Sequence, residues 1–539
     1  MLNKSERAKF RSTIFRHLDG IATSTSAYAL HEKGVLEHLL SEKRSTLERL
    51  TNKFKANEGY LNVALRILCS QGWLVQHIDN KTDIIEYEIN EKSKEAFELV
   101  PLYKDVVNLL TYSVKFPEEG VGADAFIALE KIFKKFDSNY GLSDLNENGI
   151  QYQILKHMEG VVAAPIIVML GVNGLFHKYF MEASFRAQEY HKNPESFKKI
   201  LDFLTKLDWF KSKNSTYQFT EKGLFFAKRA SAYGVTVSYL PTFLELDSLI
   251  FGDPLVLKTE SSDEAEKHVH REMNVWGSGG AHSTYFKVVD EIIIELFNKP
   301  IDEQPKGILD MGCGNGAFIQ HIFDVIEQQT HRGKLLDDHP LLLVGADFNN
   351  AALKVTRANL IKADIWAKVI WGDIGRPDLL AKDLKEDYGI ALEDLLNVRT
   401  FLDHNRIWDP PKTISNINST SKGAYAFQGQ RISNNHVEDS LLEHLDKWKP
   451  YVEKFGLLII ELHTVDPKLA AQNIGKTAVT AYDATHGYSD QFILEVDVFN
   501  SVAKRSGLYP DERYFTKFPD SDLATVSINL LKGKNTQYE

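Results

Sequence analysis

Gly307-Ile-Leu-Asp-Met-Gly-Cys-Gly-Asn-Gly-Ala-Phe318 decides how the second half of this 539-residue chain folds. An apolar run enters three glycines at alternate positions, and a helix-forming stretch leaves them. A backbone that turns tightly between strand and helix, with a ligand close against it, needs glycine at such places. A dinucleotide turn would space them G-x-G-x-x-G and rest a pyrophosphate on the helix N-terminus. Here the spacing is G-x-G-x-G, and the anionic Asp310 inside the strand end would repel a pyrophosphate. The turn suits a nucleotide-like ligand of another kind.

Outward from this turn, apolar runs alternate with helical patterns, the signature of a doubly wound parallel sheet. The runs are 307–311, 341–347, 367–371, 395–402 and 456–463, with helices over 351–362 and 491–506. The stretch 324–340 reads as a surface insertion between the first two strands.

The first half repeats itself. His17-Leu-Asp-Gly20 is matched by His157-Met-Glu-Gly160, each followed by an apolar helix that ends in Gly34 or Gly174. Leu65, Leu68 and Trp73 have counterparts in Leu201, Leu204 and Trp209, and the strand 87–92 is echoed by 217–222. Such repeats are sought first because they fix the architecture. Helix, helix, strand pair, helix is winged-helix order. The expected fold is α/β: a C-terminal Rossmann-like core preceded by two mainly helical winged-helix-like repeats. The expected divisions are 1–110 and 151–245 for the repeats, 111–150 for a helical connector, 246–300 for a helical bridge or lid, and 301–539 for the core.

Composition narrows the function. The chain is 43% hydrophobic and 25% charged, with a formal charge of -11, so it lacks the basic excess of a dedicated nucleic-acid binder. Acids balance bases where the winged helices would face phosphate, and no nucleic-acid partner is expected. The two cysteines, Cys69 and Cys313, make neither a disulfide framework nor a zinc site, which fits a reducing cytoplasm. A polar N-terminus and the lack of long uninterrupted apolar runs predict no targeting segment and no membrane partner.

In open α/β sheets the ligand lies beyond the carboxyl ends of the strands. The fourth strand runs into Asp403 and His404, and the fifth ends in His463. Two histidines and a carboxylate with open positions suit iron or a similar divalent ion. His486, Asp490 or Gln491 could complete that shell. His404 could instead act alone as a general base. Arg399 or Arg406 could pair a substrate carboxylate, or serve as structural salt bridges. The Ser-, Asn- and Gly-rich stretch 409–435 reads either as a disordered surface insertion or as a lid.

The glycine turn resembles motif I of class I S-adenosylmethionine-dependent methyltransferases. The resemblance implies that Asp310, Gly312 and Gly314 hold the cofactor. It likewise implies that Asp347, with Phe348 beside it, meets the ribose hydroxyls, and that Asp373 and Ile374 meet the adenine. The doubled winged-helix front, 238–242, 274–282 with Tyr285 and Phe286, 398–404 and 487–491 together look like the metal-dependent C-methyltransferases of polyketide synthase loading modules. That wider likeness implies a mononuclear iron or manganese ion, here on Asp403, His404, His463 and Gln491. It implies a malonyl-type thioester on an acyl carrier protein, methylated at its α carbon through a metal-stabilised enolate. The carrier is expected either on another chain or on a part cut away from this one. Catalytic roles then fall to His404, His463, Arg399 and Tyr285, the last closing over the cofactor. Here Asp403 precedes His404, whereas related 2-oxo-acid enzymes order the pair His-Asp. Small-molecule O-methyltransferases, which use a histidine base and are commonly dimers, supply the alternative, with a homodimer as a further expectation. A winged-helix ligand sensor is the third class.

Overall fold

The computed structural model describes residues 2–180, 183–259 and 266–533, without the side chains of residues 280–283. The resemblance read from 274–282 therefore falls in part on side chains outside the described residues.

The repeat seen in the sequence is a pair of crossing helices, Lys4–Glu32 and Ile150–Val172. The two glycines of the repeated tetrapeptides stand at the crossing. A Cβ on Gly160 would lie 2.5 Å from both the Cα and the carbonyl oxygen of His17, and one on Gly20 would lie 2.9 Å from the carbonyl oxygen of His157. Glycine is required there because backbone meets backbone. The repeated histidines reach across the crossing. His17 bonds Tyr233 (2.9 Å) and Glu159 (3.0 Å), and His157 bonds Tyr103 (2.8 Å) and Gln71 (3.2 Å). Burial pushes the His157 imidazole down to about 3, so it stays neutral. Burial opposes the charge on Glu159, but Lys156 and His17 outweigh it and hold the carboxyl far below its usual range.

Each repeat carries a three-stranded wing, one strand more than the expected pair. Arg44–Thr46, Leu74–Asp79 and Ile84–Ile89 form one; Ser184–Phe185, Phe210–Lys213 and Thr216–Phe219 form the other. Trp73 and Trp209 are both buried in the core of their units. Helix Ile150–Val172 is apolar and long enough to cross a membrane, but its apolar stretch is buried within the protein. It is the axis about which the front half is built.

The C-terminal half is a mixed sheet of eight strands: β1 Gly307–Met311, β2 Leu342–Asp347, β3 Lys368–Trp371, β4 Leu395–Thr400, β5 Leu457–Leu462, β6 Leu508–Pro510, β7 Thr516–Phe518 and β8 Val526–Gly533. Their order is β6-β8-β5-β4-β1-β2-β3, with β7 also on β8. The first five strands pair parallel, while β8 alone runs against them and pairs antiparallel with β5, β6 and β7. The order reverses between β1 and β4, the crevice where such sheets bind ligands.

Three stretches differ from expectation. Residues 324–329 continue the helix Ala317–Gln329, and the buried Arg332 fastens the rest of the connection by donating to the carbonyls of His339 and Pro340. The last large helix is Val496–Arg505, shorter than 491–506, and residues 491–494 before it are neither helix nor strand. The stretch 409–435 is ordered. It forms the hairpin Tyr425–Phe427 and Gln430–Ile432 and is fastened to the first winged-helix unit. Asn80 donates to Ser419 O (2.7 Å), Arg66 to Lys422 O (2.7 Å), and Arg431 pairs with Asp83 (2.6 Å). Its polar composition serves these bonds rather than disorder.

Gly160→Ala tests the helix crossing. Alanine is about 1 kcal/mol the better helix former, yet overpacking backbone on backbone should cost about 1–3 kcal/mol. Calorimetry should therefore show a lower Tm, and a higher one would contradict the close approach.

Candidate active site

The glycine turn after β1 is held in the left-handed region, with φ of 79° at Gly312 and 57° at Gly314. The N–H groups of Gly312 and Cys313 donate to Ala346 O at the end of β2 (2.7 and 3.1 Å). Gly314 faces open space: a Cβ there would meet only Gly312 O, at 4.0 Å. Asp347 stands opposite and accepts from the N–H of Gly314 (3.0 Å) and of Asn349 (2.8 Å). Beyond it, the half-exposed Phe348 packs against Trp371 at 5.5 Å between ring centroids. Asp373 accepts from Gly375 N–H (2.8 Å), and the buried Ile374 gives its carbonyl to the Trp448 indole (2.7 Å).

Asp310 lies beneath the turn, buried, with one carboxylate oxygen lacking any partner. Burial, then the charge of Asp347, pushes its carboxyl up to about 7. An open glycine cradle above a buried, unpaired carboxylate fits a cationic, phosphate-free nucleoside and disfavours a pyrophosphate. S-adenosylmethionine meets that description, and Asp310, Gly312, Gly314, Asp347 and Asp373 are the groups that could hold it.

The reacting side is built by the end of β4. Phe401 takes a left-handed φ of 55° and donates its N–H to Ile460 O (2.7 Å). A bulky residue in that region marks a strained turn. Leu402 is thereby laid over the glycine turn, where a Cβ on Gly312 would meet its methyl at 2.9 Å. His404 is the next turn residue but one, buried and fixed on three sides. Its N–H donates to Glu461 Oε2 (3.2 Å), its Nδ1 pairs with Glu461 Oε1, and its carbonyl accepts from Phe492 N–H (2.8 Å). Glu461 also accepts from Leu462 N–H (2.7 Å). With Nδ1–H directed at a carboxylate, Nε2 is left to accept a proton.

The His486 ring stands 5.1 Å from that of His404, at 72°. Its Nδ1 donates to Tyr482 O (2.7 Å). Burial and the neighbouring His404 push it down to about 3, so it stays neutral beside the base. Tyr239 lies 6.5 Å beyond, its hydroxyl accepting from the Gln491 amide (3.3 Å).

The four residues expected to bind metal are not brought together. Asp403 turns Oδ1 to Arg399 (2.5 Å) and His444 (3.0 Å), which outweigh burial and hold its carboxyl far below the usual range, while its Oδ2 is buried without a partner. His463 has both ring nitrogens engaged, with Leu494 O (2.9 Å) and the Ser527 hydroxyl (2.7 Å), and burial pushes it down to about 4. Gln491 is turned to Tyr239. Among the described residues no cluster of three or more His, Cys, Asp or Glu side chains is placed to hold a metal ion. These residues do not fit an iron or manganese site, and His463 is a structural histidine. Asp490 likewise binds Tyr60 (2.8 Å) and Gln428 N–H (3.0 Å).

Arg399 is fully buried, stacked 4.1 Å over Trp448 and paired with Asp403 through Nη1, while its Nε and Nη2 have no partner. Arg406 is buried on the carbonyls of Asp403 (3.0 Å) and Val437 (3.2 Å). Tyr285 rests edge-on against Phe401 (6.0 Å) and Phe518 (5.1 Å), beside the strained turn. Glu461 and His444 were missed in the sequence. A lone glutamate inside the apolar run 457–462 was the available signal, because a buried carboxylate needs a partner.

Residues 266–529 match the family model described as the AprA MT2-like domain, residues 159–253 that of the AprA winged helix domain, and residues 10–76 that of the AprA N-terminal domain. Residues 266–529 are thus similar to a methyltransferase-family domain. No curated protein matches the chain. Among solved structures, mitomycin 7-O-methyltransferase MmcR is 10% identical, with 76% of this chain and 100% of that chain covered and a TM-score of 0.41. The CurJ carbon methyltransferase is 11% identical over 82% and 99% of the two chains, TM-score 0.33. The DszA carbon methyltransferase is 10% identical over 76% and 93%, TM-score 0.29.

The methyltransferase cofactor is a cation, so it binds best when Asp310 is ionised. With the free carboxyl near 7, affinity should rise with pH up to neutrality, by at most about tenfold per unit, and level off above. Titration calorimetry at pH 5.5, 6.5 and 8 checks this. Asp310→Asn should bind weakly at every pH, and a wild-type affinity independent of pH would contradict the assignment.

Proposed function

We propose that the enzyme methylates the α carbon of a malonyl- or 3-oxoacyl-type thioester carried by an acyl carrier protein, and that His404, held by Glu461, takes the proton. The His404–Glu461 pair is the observation that carries the reading: a buried imidazole with one nitrogen tied to a carboxylate and the other free is a general base. S-adenosylmethionine supplies an electrophilic methyl group when bound. The remaining work falls to the protein.

A carbon between two carbonyls gives up its proton to Nε2 of His404, and the electron pair of the C–H bond passes into the enolate. Glu461 stabilises the imidazolium that forms and fixes the ring, since Oε1 also accepts Leu462 N–H and Oε2 accepts the N–H of His404 itself. His486 stays neutral, because burial and His404 both disfavour its charge. Leu402 over the glycine turn and the Tyr285–Phe401–Phe518 contacts keep water from the reacting side. Asp403, His463 and Gln491 do not converge on one point: both ring nitrogens of His463 serve other partners, the Gln491 amide turns to Tyr239, and Asp403 Oδ1 is held by Arg399 and His444.

A second reading, methyl transfer to a hydroxyl group of a small molecule, is favoured by the same base, since one imidazole suffices to deprotonate a hydroxyl. Product analysis separates them: a new C–CH3 signal by NMR supports the first, an O–CH3 signal the second.

Replacing His404 with Gln should lower kcat by about 10²–10⁴-fold while cofactor affinity stays within twofold. Glu461→Gln should lower kcat as well, by less. Activity of His404→Gln close to wild type would overturn the base assignment.

A further inference from the structure

Beyond the end of β4 three buried side chains each keep one bonding position unused. Asp403 turns Oδ1 to Arg399 and His444, while its Oδ2 has no partner. Arg406 spends Nη1 and Nη2 on the carbonyls of Asp403 and Val437, while its Nε has no partner. Glu461 Oε1 receives both Nδ1 of His404 and the N–H of Leu462, whereas Oε2 receives only the N–H of His404. A carboxylate oxygen can accept twice, so one position on Oε2 remains. Asp403, Glu461 and Arg406 are 0%, 1% and 4% exposed, so bulk solvent does not serve them.

All three line one small space beside His404, whose remaining walls are apolar, with Leu441 and Phe499 among them. It has room for about one water molecule. Burial pushes the Arg406 guanidinium down to about 10, and the charges of Asp403 and Glu461 oppose that shift. Two carboxylates here stand against the guanidiniums of Arg399 and Arg406, so the charges already balance. An added anion would meet two carboxylates, and an added cation would meet a guanidinium.

A neutral ligand that accepts one hydrogen bond and donates two completes all three groups. Its oxygen takes the Nε–H of Arg406, and its two hydrogens go to Asp403 Oδ2 and Glu461 Oε2. Buried waters make about three such bonds.

We propose that one water molecule binds between Asp403, Arg406 and Glu461, and that through it Asp403 and Arg406 hold the Glu461 carboxylate in place behind His404. The bonds Glu461 already makes all come from His404 and Leu462. The water ties its free side to Asp403 and so to Arg399 and His444. Asp403 and Arg406 are then positioning residues, which touch neither acceptor nor cofactor and act through Glu461. This role, though not the water site, rests on His404 as the base.

A crystal structure of the full chain that shows ordered water tests the site directly. One peak should lie about 2.7–3.2 Å from Asp403 Oδ2, Arg406 Nε and Glu461 Oε2. An empty space there, or an ion at about 2.0–2.2 Å from the carboxylates, would overturn the proposal. The role is tested by filling the space with carbon. Leu441→Phe adds apolar bulk without removing a polar group, and Phe499→Trp does so from another helix should the first variant not fold. In either variant the downfield proton resonance of His404 Nδ1–H, assigned by its disappearance in His404→Gln, should shift or broaden. With malonyl-N-acetylcysteamine as acceptor, kcat should drop by as much as about 10²-fold, with cofactor affinity within twofold. An unmoved resonance and unchanged kcat in a folded variant would overturn the role. Failure of the base reading shows separately, as unimpaired His404→Gln with the water still bound.

Discussion

The architecture depends on one buried guanidinium. Arg66 belongs to the first winged-helix unit, yet its partners, Lys422, Asp483, Thr464 and Val465, belong to the methyltransferase half. A charge so deeply buried is tolerable only because each bond is made, and removing one partner of such a pair costs about 3–5 kcal/mol. The same unit holds the helix Val479–Gly487 all along its length. Asp19 accepts from Ala481 N–H (3.2 Å), Gln71 donates to Thr480 (2.8 Å), Ser26 meets Tyr488 (2.9 Å) and Tyr60 donates to Asp490 (2.8 Å). That helix carries His486 to within 5.1 Å of His404. The front unit is thus joined to the reacting centre through side-chain bonds.

Electrostatics divide the interior into two kinds of buried polar group. Arg399, Asp403 and His444 are paired with one another through Asp403 Oδ1 at the end of β4, and His463 has both ring nitrogens satisfied, one of them against β8. His404 differs, because its partner Glu461 engages only one ring nitrogen and the backbone. On the cofactor side Asp310 is the counterpart: a carboxylate kept unpaired and near neutrality's edge by burial, so that a cation gives it the partner the fold withholds. Groups left incomplete by the fold are where chemistry is to be sought.

Much of this was legible from residues alone. The glycine turn, Asp347 and Asp373 are read from local pattern, because strand, turn and acid succeed one another within a short stretch of chain. The front repeat was visible through His17-Leu-Asp-Gly20 and His157-Met-Glu-Gly160, since backbone contact at the crossing demands glycine in both copies. The metal shell was not legible correctly. Strand β5 is buried on both faces, so alternation gives no hint that Glu461 and not His463 turns to His404. The satisfaction of His463 comes from Ser527 and Leu494, far away in sequence. The segment 409–435 misled for a related reason: its serines and asparagines look like solvent-exposed chain until Asn80 and Arg66 are placed opposite.

Hydrogen exchange tests most directly whether the front unit holds the active-site helix. Arg66→Met preserves much of the side chain's bulk and removes its charge and donors. The account predicts that amides of residues 480–487 lose protection by at least tenfold while those of β1 and β4 keep theirs, since local opening is read segment by segment. Unchanged protection of that helix in a folded Arg66→Met protein would contradict it.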